Sequence, residues 1–148
     1  MKSINNITKI TFLNLFLILI ILLFSCKKDK EDLVPYVYVD FNIYLTNPNF
    51  VNLNSIGNSV YVTGGVEGIV IYRKSQDEFI AIERCCSYIP ADRRIVEKDS
   101  TGQALICPYC NSRFSIFDGS VIKTPAKRPL TLYHTAFDPG NLSVHVSN

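Results

Sequence analysis

Residues 106–114 read Ile-Cys-Pro-Tyr-Cys-Asn-Ser-Arg-Phe, and upstream of them residues 78–88 read Glu-Phe-Ile-Ala-Ile-Glu-Arg-Cys-Cys-Ser-Tyr. Each stretch carries strand-forming residues into a pair of cysteines, so both cysteine groups fall just past a strand end, on loops. Loops held by a rigid sheet are where chemistry usually sits. The Cys107-x-x-Cys110 knuckle turns two thiols toward one centre. The adjacent Cys85 and Cys86 chelate one ion poorly, because successive side chains of an extended segment point apart.

Working outward, the same strand pattern fills the chain from Pro35 to its end. Residues 37–45, "VYVDFNIYL", set Val39, Phe41, Ile43 and Leu45 against Tyr38, Asp40, Asn42 and Tyr44, the period of two of a half-buried strand. "SVYVT" and "GIVIYR" flank Gly64-Gly65-Val66-Glu67, which reads as a hairpin whose glycines supply positive φ. "QALI", "RFSIF", "SVIK", "LTLY" and "LSVHV" continue the series, with Asp118-Gly119 as a turn. No stretch after residue 35 keeps a helical period. The expected fold class is therefore all-β, a sandwich or stacked-sheet architecture.

Residues 1–25 stand apart. Lys2 and Lys9 precede an apolar run from Leu15 to Phe24, and Ser25-Cys26 follow it. This is the pattern of an export signal, shorter than the about 20 apolar residues that span a bilayer. Leu23-Phe24-Ser25-Cys26 resembles the bacterial lipobox, which implies lipidation of Cys26 and a protein that lies on a membrane of the bacterial cell envelope, facing the periplasm or the surface. Residues 26–34 then form a tether in which Lys27 to Asp32 are all charged. Residues 35–148 form the domain.

The 148-residue chain is 47% hydrophobic and 19% charged, enough apolar content for one domain with a core of its own. Its 15 basic residues fall to 13 once Lys2 and Lys9 are removed with the leader, equal to the 13 acidic ones. A near-neutral chain without a basic stripe offers no nucleic-acid footprint. No nucleophile–base pair, paired carboxylates or phosphate-cradling loop accompanies the cysteines, and no helix follows "TGGVEG", so neither an enzyme nor a dinucleotide-binding unit is expected.

The cysteine loops resemble those of the Rieske iron–sulfur domain family, whose ligands come as Cys-x-His on one loop and Cys-x-x-His on a second that reads C-P-x-H-G-S-x-F. Cys107-Pro108-Tyr109-Cys110-Asn111-Ser112-Arg113-Phe114 occupies the second loop, followed by Asp118-Gly119 and Pro125-Ala126-Lys127-Arg128-Pro129-Leu130. "EFIAIERCCSY" aligns Cys86 with the first ligand and Tyr88 with its histidine partner. The resemblance implies stacked antiparallel sheets with two cysteine-bearing loops at one end, a [2Fe–2S] cluster, and single-electron transfer to an unidentified redox partner protein. It also implies a hydrogen bond from Ser112 toward cluster sulfur, and a cover over the site made by the loop of Pro125 and Pro129.

Both histidine positions depart from the family pattern, to Tyr88 and to Cys110, and the family glycine is Asn111. The only histidines, His134 and His145, lie on late strands. Neutral imidazoles are what raise the potential of a Rieske centre above that of all-thiolate clusters. One outcome is a [2Fe–2S] cluster on Cys86, Cys107 and Cys110 with Cys85 or Tyr88 as the fourth ligand, at lower potential. A second is a structural zinc on the four cysteines. A third is a disulfide from Cys86 to Cys107 or Cys110 in an oxidising compartment, where closing a loop of about 20 residues contributes roughly 3 kcal/mol. A dithiol couple at Cys107 and Cys110 needs a helix N-terminus, and "NSRFSIF" reads as strand. Arg84 and Arg113 lie next to the cysteine loops, where two readings are open: offsetting thiolate charge, or the default of solvated surface arginines.

Overall fold

The computed structural model of the chain describes residues 33–148. The export signal, the lipobox cysteine and most of the tether lie outside the described residues. Among the described residues no helix is long and apolar enough to cross a membrane.

Among the described residues ten strands build two antiparallel sheets. They are β1 (Asp40–Tyr44), β2 (Ser59–Val62), β3 (Ile69–Arg73), β4 (Phe79–Glu83), β5 (Glu97–Lys98), β6 (Ala104–Ile106), β7 (Arg113–Ser115), β8 (Val121–Lys123), β9 (Leu132–Asp138) and β10 (Ser143–Ser147). The larger sheet runs β1-β10-β9-β4-β3-β2 and the smaller β5-β6-β7-β8. Two short 3-10 segments, Pro48–Asn54 and Pro90–Asp92, interrupt the strands. Neither has a helical sequence period. Each starts on a proline, whose fixed φ suits the first turn.

The β3–β4 hairpin decides where everything else sits. Ile69 and Ile71 of β3, with Phe79 and Ala81 of β4, pack into a core with Val39, Ile43, Leu53, Val144 and Val146. Val70, Tyr72 and Ile82, on the opposite face, pack into a second core with Leu105, Phe114, Ile116 and Leu130. A strand buried on both faces cannot alternate, which is why "IVIY" is an unbroken apolar run. β1 has one wet face and alternates: Val39 and Ile43 are buried while Tyr38, Asp40 and Tyr44 are exposed.

The second core reaches the cysteine end of the molecule. Cys86 and Cys107 belong to it and Cys110 packs against it. The small sheet therefore presses the second cysteine loop onto the first. Its strands are only two or three residues long, and β5 is too short to leave a pattern in the sequence.

Candidate metal centre

The first cysteine loop leaves β4 at Glu83 and returns to it. Val96 N donates to Arg84 O at 2.8 Å and Cys86 N to Arg94 O at 2.7 Å, with Cys85 bridged to Ile95 between them. These bonds close a second ladder outside the named strands. Successive side chains in that extended stretch diverge. The Cys86 sulfur enters the site, while Cys85 is fully buried with Sγ 3.7 Å from Pro90 O.

The second loop is a tight knuckle. Asn111 N donates to Cys107 O at 2.8 Å and Cys107 N to Ser112 O at 2.9 Å. Asn111 closes it at φ 59°, in the left-handed region. Asparagine is among the few residues other than glycine that visit that region readily. The exchange of the family glycine for Asn111 thus leaves the backbone path intact.

The Pro125 loop is tied to both. Ala126 N donates to Ser112 Oγ at 2.9 Å, and Ser87 Oγ donates to Arg128 O at 2.7 Å. Ser112 is fully buried, and its Oγ lies 3.2 Å from Cys110 Sγ. With Ala126 N filling one lone pair, the hydroxyl proton is free to point at a thiolate on Cys110.

The sulfurs of Cys86, Cys107 and Cys110 lie within 4.8 Å of one another, and Cys86 and Cys110 are 3.7 Å apart. They line a pocket of about 270 Å³ together with Tyr88, Ile89, Asp92 and Tyr109. Arg94 also lines it, with its guanidinium 4.2 Å over the Tyr109 ring. Tyr88 is 45% exposed. The thiol of Cys85 is not in the sulfur group. Arg84 is stacked 4.1 Å from the Tyr61 ring, and Arg113 is paired with Asp99, so both guanidinium groups next to the loops have partners of their own. His134 is exposed on β9, and His145 pairs with Asp40 at 2.7 Å.

The thiols differ in acidity. Burial pushes the Cys86 thiol up. Burial, followed by the charges of Glu83 and Glu67, pushes Cys85 up to about 11. At Cys110 burial works in the same direction, but the hydrogen bonds from Ser112 and from the other two thiols outweigh it and the pKa is lowered. Cys110 ionises more readily than Cys86 or Cys85.

Soft sulfur donors in this number suit iron–sulfur or zinc chemistry and suit hard cations poorly. A tetrahedral metal with sulfur at about 2.3 Å sets its ligands about 3.8 Å apart, close to the 3.7 Å between Cys86 and Cys110. The three cysteines and the pocket they line therefore fit a sulfur-ligated metal group.

Sequence reading passed over two residues of this end of the molecule, Glu83 and Tyr133. A signal for Glu83 existed: in "FIAIE" it continues the register of Phe79 and Ala81, which face a core, so period two already placed a carboxylate inside.

The chain covers 99% of a plasma-membrane Rieske protein of Synechocystis PCC 6803 over 76% of its own length, at 18% identity and a TM-score of 0.52. The ferredoxin of carbazole 1,9a-dioxygenase from Nocardioides aromaticivorans IC177 aligns over 62% of this chain and 86% of its own, at 18% identity and a TM-score of 0.46. No curated protein sequence matches. Residues 51–134, which hold both cysteine loops and the Pro125 loop, match the Rieske [2Fe-2S] domain as a family. With stacked antiparallel sheets that bring three thiols together at one end, and with that match over more than half its length, the chain belongs to the Rieske [2Fe–2S] domain family.

Proposed function

We propose that this chain is an iron–sulfur electron-transfer domain with altered ligation, carried on the membrane of a bacterial cell envelope by lipid on Cys26. The observation that carries the reading is the convergence of Cys86, Cys107 and Cys110 within 4.8 Å, with Cys110 standing where the family has histidine. A [2Fe–2S] cluster, when bound, supplies reversible one-electron chemistry. The buried Cys86 and Cys107 and the partly buried Cys110 would hold it. Tyr88 stands on the pocket wall at the position of the other family histidine. Ser112 stabilises negative charge on Cys110 through its hydroxyl.

The chain is read as a carrier, passing electrons to a separate redox protein, and not as an enzyme. Replacing imidazole by the Cys110 thiolate adds negative charge, which favours the oxidised form. Anaerobic purification of residues 27–148 is expected to give a coloured protein with equal iron and acid-labile sulfide. Its midpoint potential is expected below about −150 mV, the lower edge of the range for bis-histidine centres. A colourless protein without iron overturns the reading.

A second reading, a binding or structural lipoprotein with zinc or a disulfide in place of the cluster, is favoured by the 3.7 Å between Cys86 Sγ and Cys110 Sγ. Zinc analysis, together with intact mass before and after reduction and alkylation, separates its two forms. Retention of the lipid on full-length protein from membranes, read as the mass of the N-terminal peptide, tests the anchor.

A further inference from the structure

Glu83 ends β4 with no solvent exposure, yet its carboxylate is fully engaged. Oε2 accepts from Val66 N at 2.7 Å and from Tyr133 OH at 2.7 Å. Oε1 accepts from Glu67 N at 3.0 Å and from Cys85 N at 2.8 Å. All four partners donate, a set that matches a carboxylate, which presents acceptors alone. A buried group satisfied this completely rigidifies whatever it joins. Here it joins three separate pieces of chain: the glycine turn between β2 and β3, the first residue of the cysteine pair, and β9.

The glycine turn is shaped to meet it. A Cβ on Gly65 would stand 2.1 Å from Glu83 Oε2 and 2.5 Å from Tyr133 OH, and the residue has φ +60°. Only glycine lets backbone approach the carboxylate this closely. Tyr133 carries the mark of the same contact: burial, then the bond to Glu83 and its charge, raise the phenol's pKa.

We propose that Glu83 is a positioning residue of the metal centre, its carboxylate anchoring the Cys85 backbone to the glycine turn and thereby fixing where Cys86 Sγ stands, while placing a fixed negative charge behind the site. The positional half stands on the thiol geometry alone. The charge half rests on the electron-transfer reading above.

The test uses full-length protein as Glu83→Gln and Tyr133→Phe variants, with Ile71→Val as a control that loosens the core Tyr133 packs in while keeping Glu83 and its four donors. Metal-free protein is titrated with Co²⁺, read by its sulfur-to-cobalt absorption. Glu83→Gln is expected to weaken Co²⁺ binding by about 10-fold to 100-fold, the usual effect of losing a partner behind the ligands. Tyr133→Phe, which removes one donor of four, weakens it less, and Ile71→Val leaves it unchanged.

In iron-loaded protein the two clamp variants move the midpoint potential in opposite directions. Glu83→Gln shifts it positive by removing a charge, and Tyr133→Phe shifts it negative by leaving the carboxylate less compensated. Unchanged Co²⁺ affinity in both variants overturns the positioning role, and potentials that shift in the same direction overturn the charge. A protein that never takes up iron and sulfide defeats the electron-transfer reading, while the cobalt titration still decides Glu83. Should Glu83→Gln fail to fold, Tyr133→Phe keeps both readouts.

Discussion

The two cysteine pairs of this domain are built to opposite plans. Cys107 and Cys110 are two residues apart on a knuckle closed by Asn111, and both thiols reach one centre. Cys85 and Cys86 are neighbours on an extended stretch, 84–86, that hydrogen-bonds to Arg94 and Val96. One of them joins the centre and the other turns into the protein toward Pro90. Spacing and backbone conformation, rather than the number of cysteines, decide which sulfurs are available.

The sharpest way to break that comparison is to remove the sulfurs one at a time. Alanine at Cys86, Cys107 or Cys110 is expected to abolish stable metal binding, read as iron, sulfide and cobalt stoichiometry. Alanine at Cys85 is expected to leave the stoichiometry intact and to lower stability by about 1 kcal/mol through a small buried void. Loss of metal in the Cys85 variant would place that thiol among the ligands after all.

The same contrast sets an order of reactivity in metal-free protein. A thiol at about 11 carries roughly 100-fold less thiolate near neutral pH than one at the ordinary value of 9.0. Cys85 is also fully buried, whereas Cys110 is half-exposed and lowered. As pH rises, thiolate forms on Cys110 before it forms on Cys85 or Cys86, so iodoacetamide is expected to label Cys110 ahead of both. Peptide mass mapping across a pH series checks this, and early labelling of Cys85 would contradict the structure.

The glycines offer a milder version of the comparison. Gly65 and Gly57 both have positive φ, but a Cβ at Gly57 would meet nothing within 4 Å. Alanine at Gly57 is expected to lower stability by about 1 kcal/mol, the strain of the left-handed region alone. Alanine at Gly65 meets Glu83 and Tyr133 as well and is expected to lose about 3 kcal/mol. Thermal or urea denaturation of the two variants, both at positive φ, compares strain alone with strain plus the carboxylate clamp.

These residues also show which parts of the molecule could be read without coordinates. β1, with one wet face, announced itself by alternation, and β3 by a continuous apolar run, because burial on one or both sides leaves a direct imprint on sequence. The placement of both cysteine groups at strand ends was equally legible. The two-residue β5, the 3-10 segments and the extra length of β9 through Asp138 were not, because they depend on pairing partners distant in sequence. The clamp of Glu83 belongs to the same class, decided by backbone groups on the glycine turn such as Val66 N. The fate of Cys85 is set within its own loop, by the turn that brings Pro90 O to its thiol five residues on.

The smallest expected effect concerns Asn111, the residue that replaces the family glycine. At φ 59° a Cβ-bearing residue is strained by roughly 1–2 kcal/mol, less for asparagine, which tolerates the left-handed region better than most residues. Asn111→Gly is therefore expected to change stability by no more than about 0.5 kcal/mol and to leave metal affinity unchanged. Asn111→Ala is expected to lose about 1 kcal/mol, because alanine tolerates that region less well than asparagine. If glycine proved as damaging as alanine, the asparagine side chain itself would be holding the knuckle, and the convergence of Cys107 and Cys110 would depend on that amide rather than on a left-handed backbone.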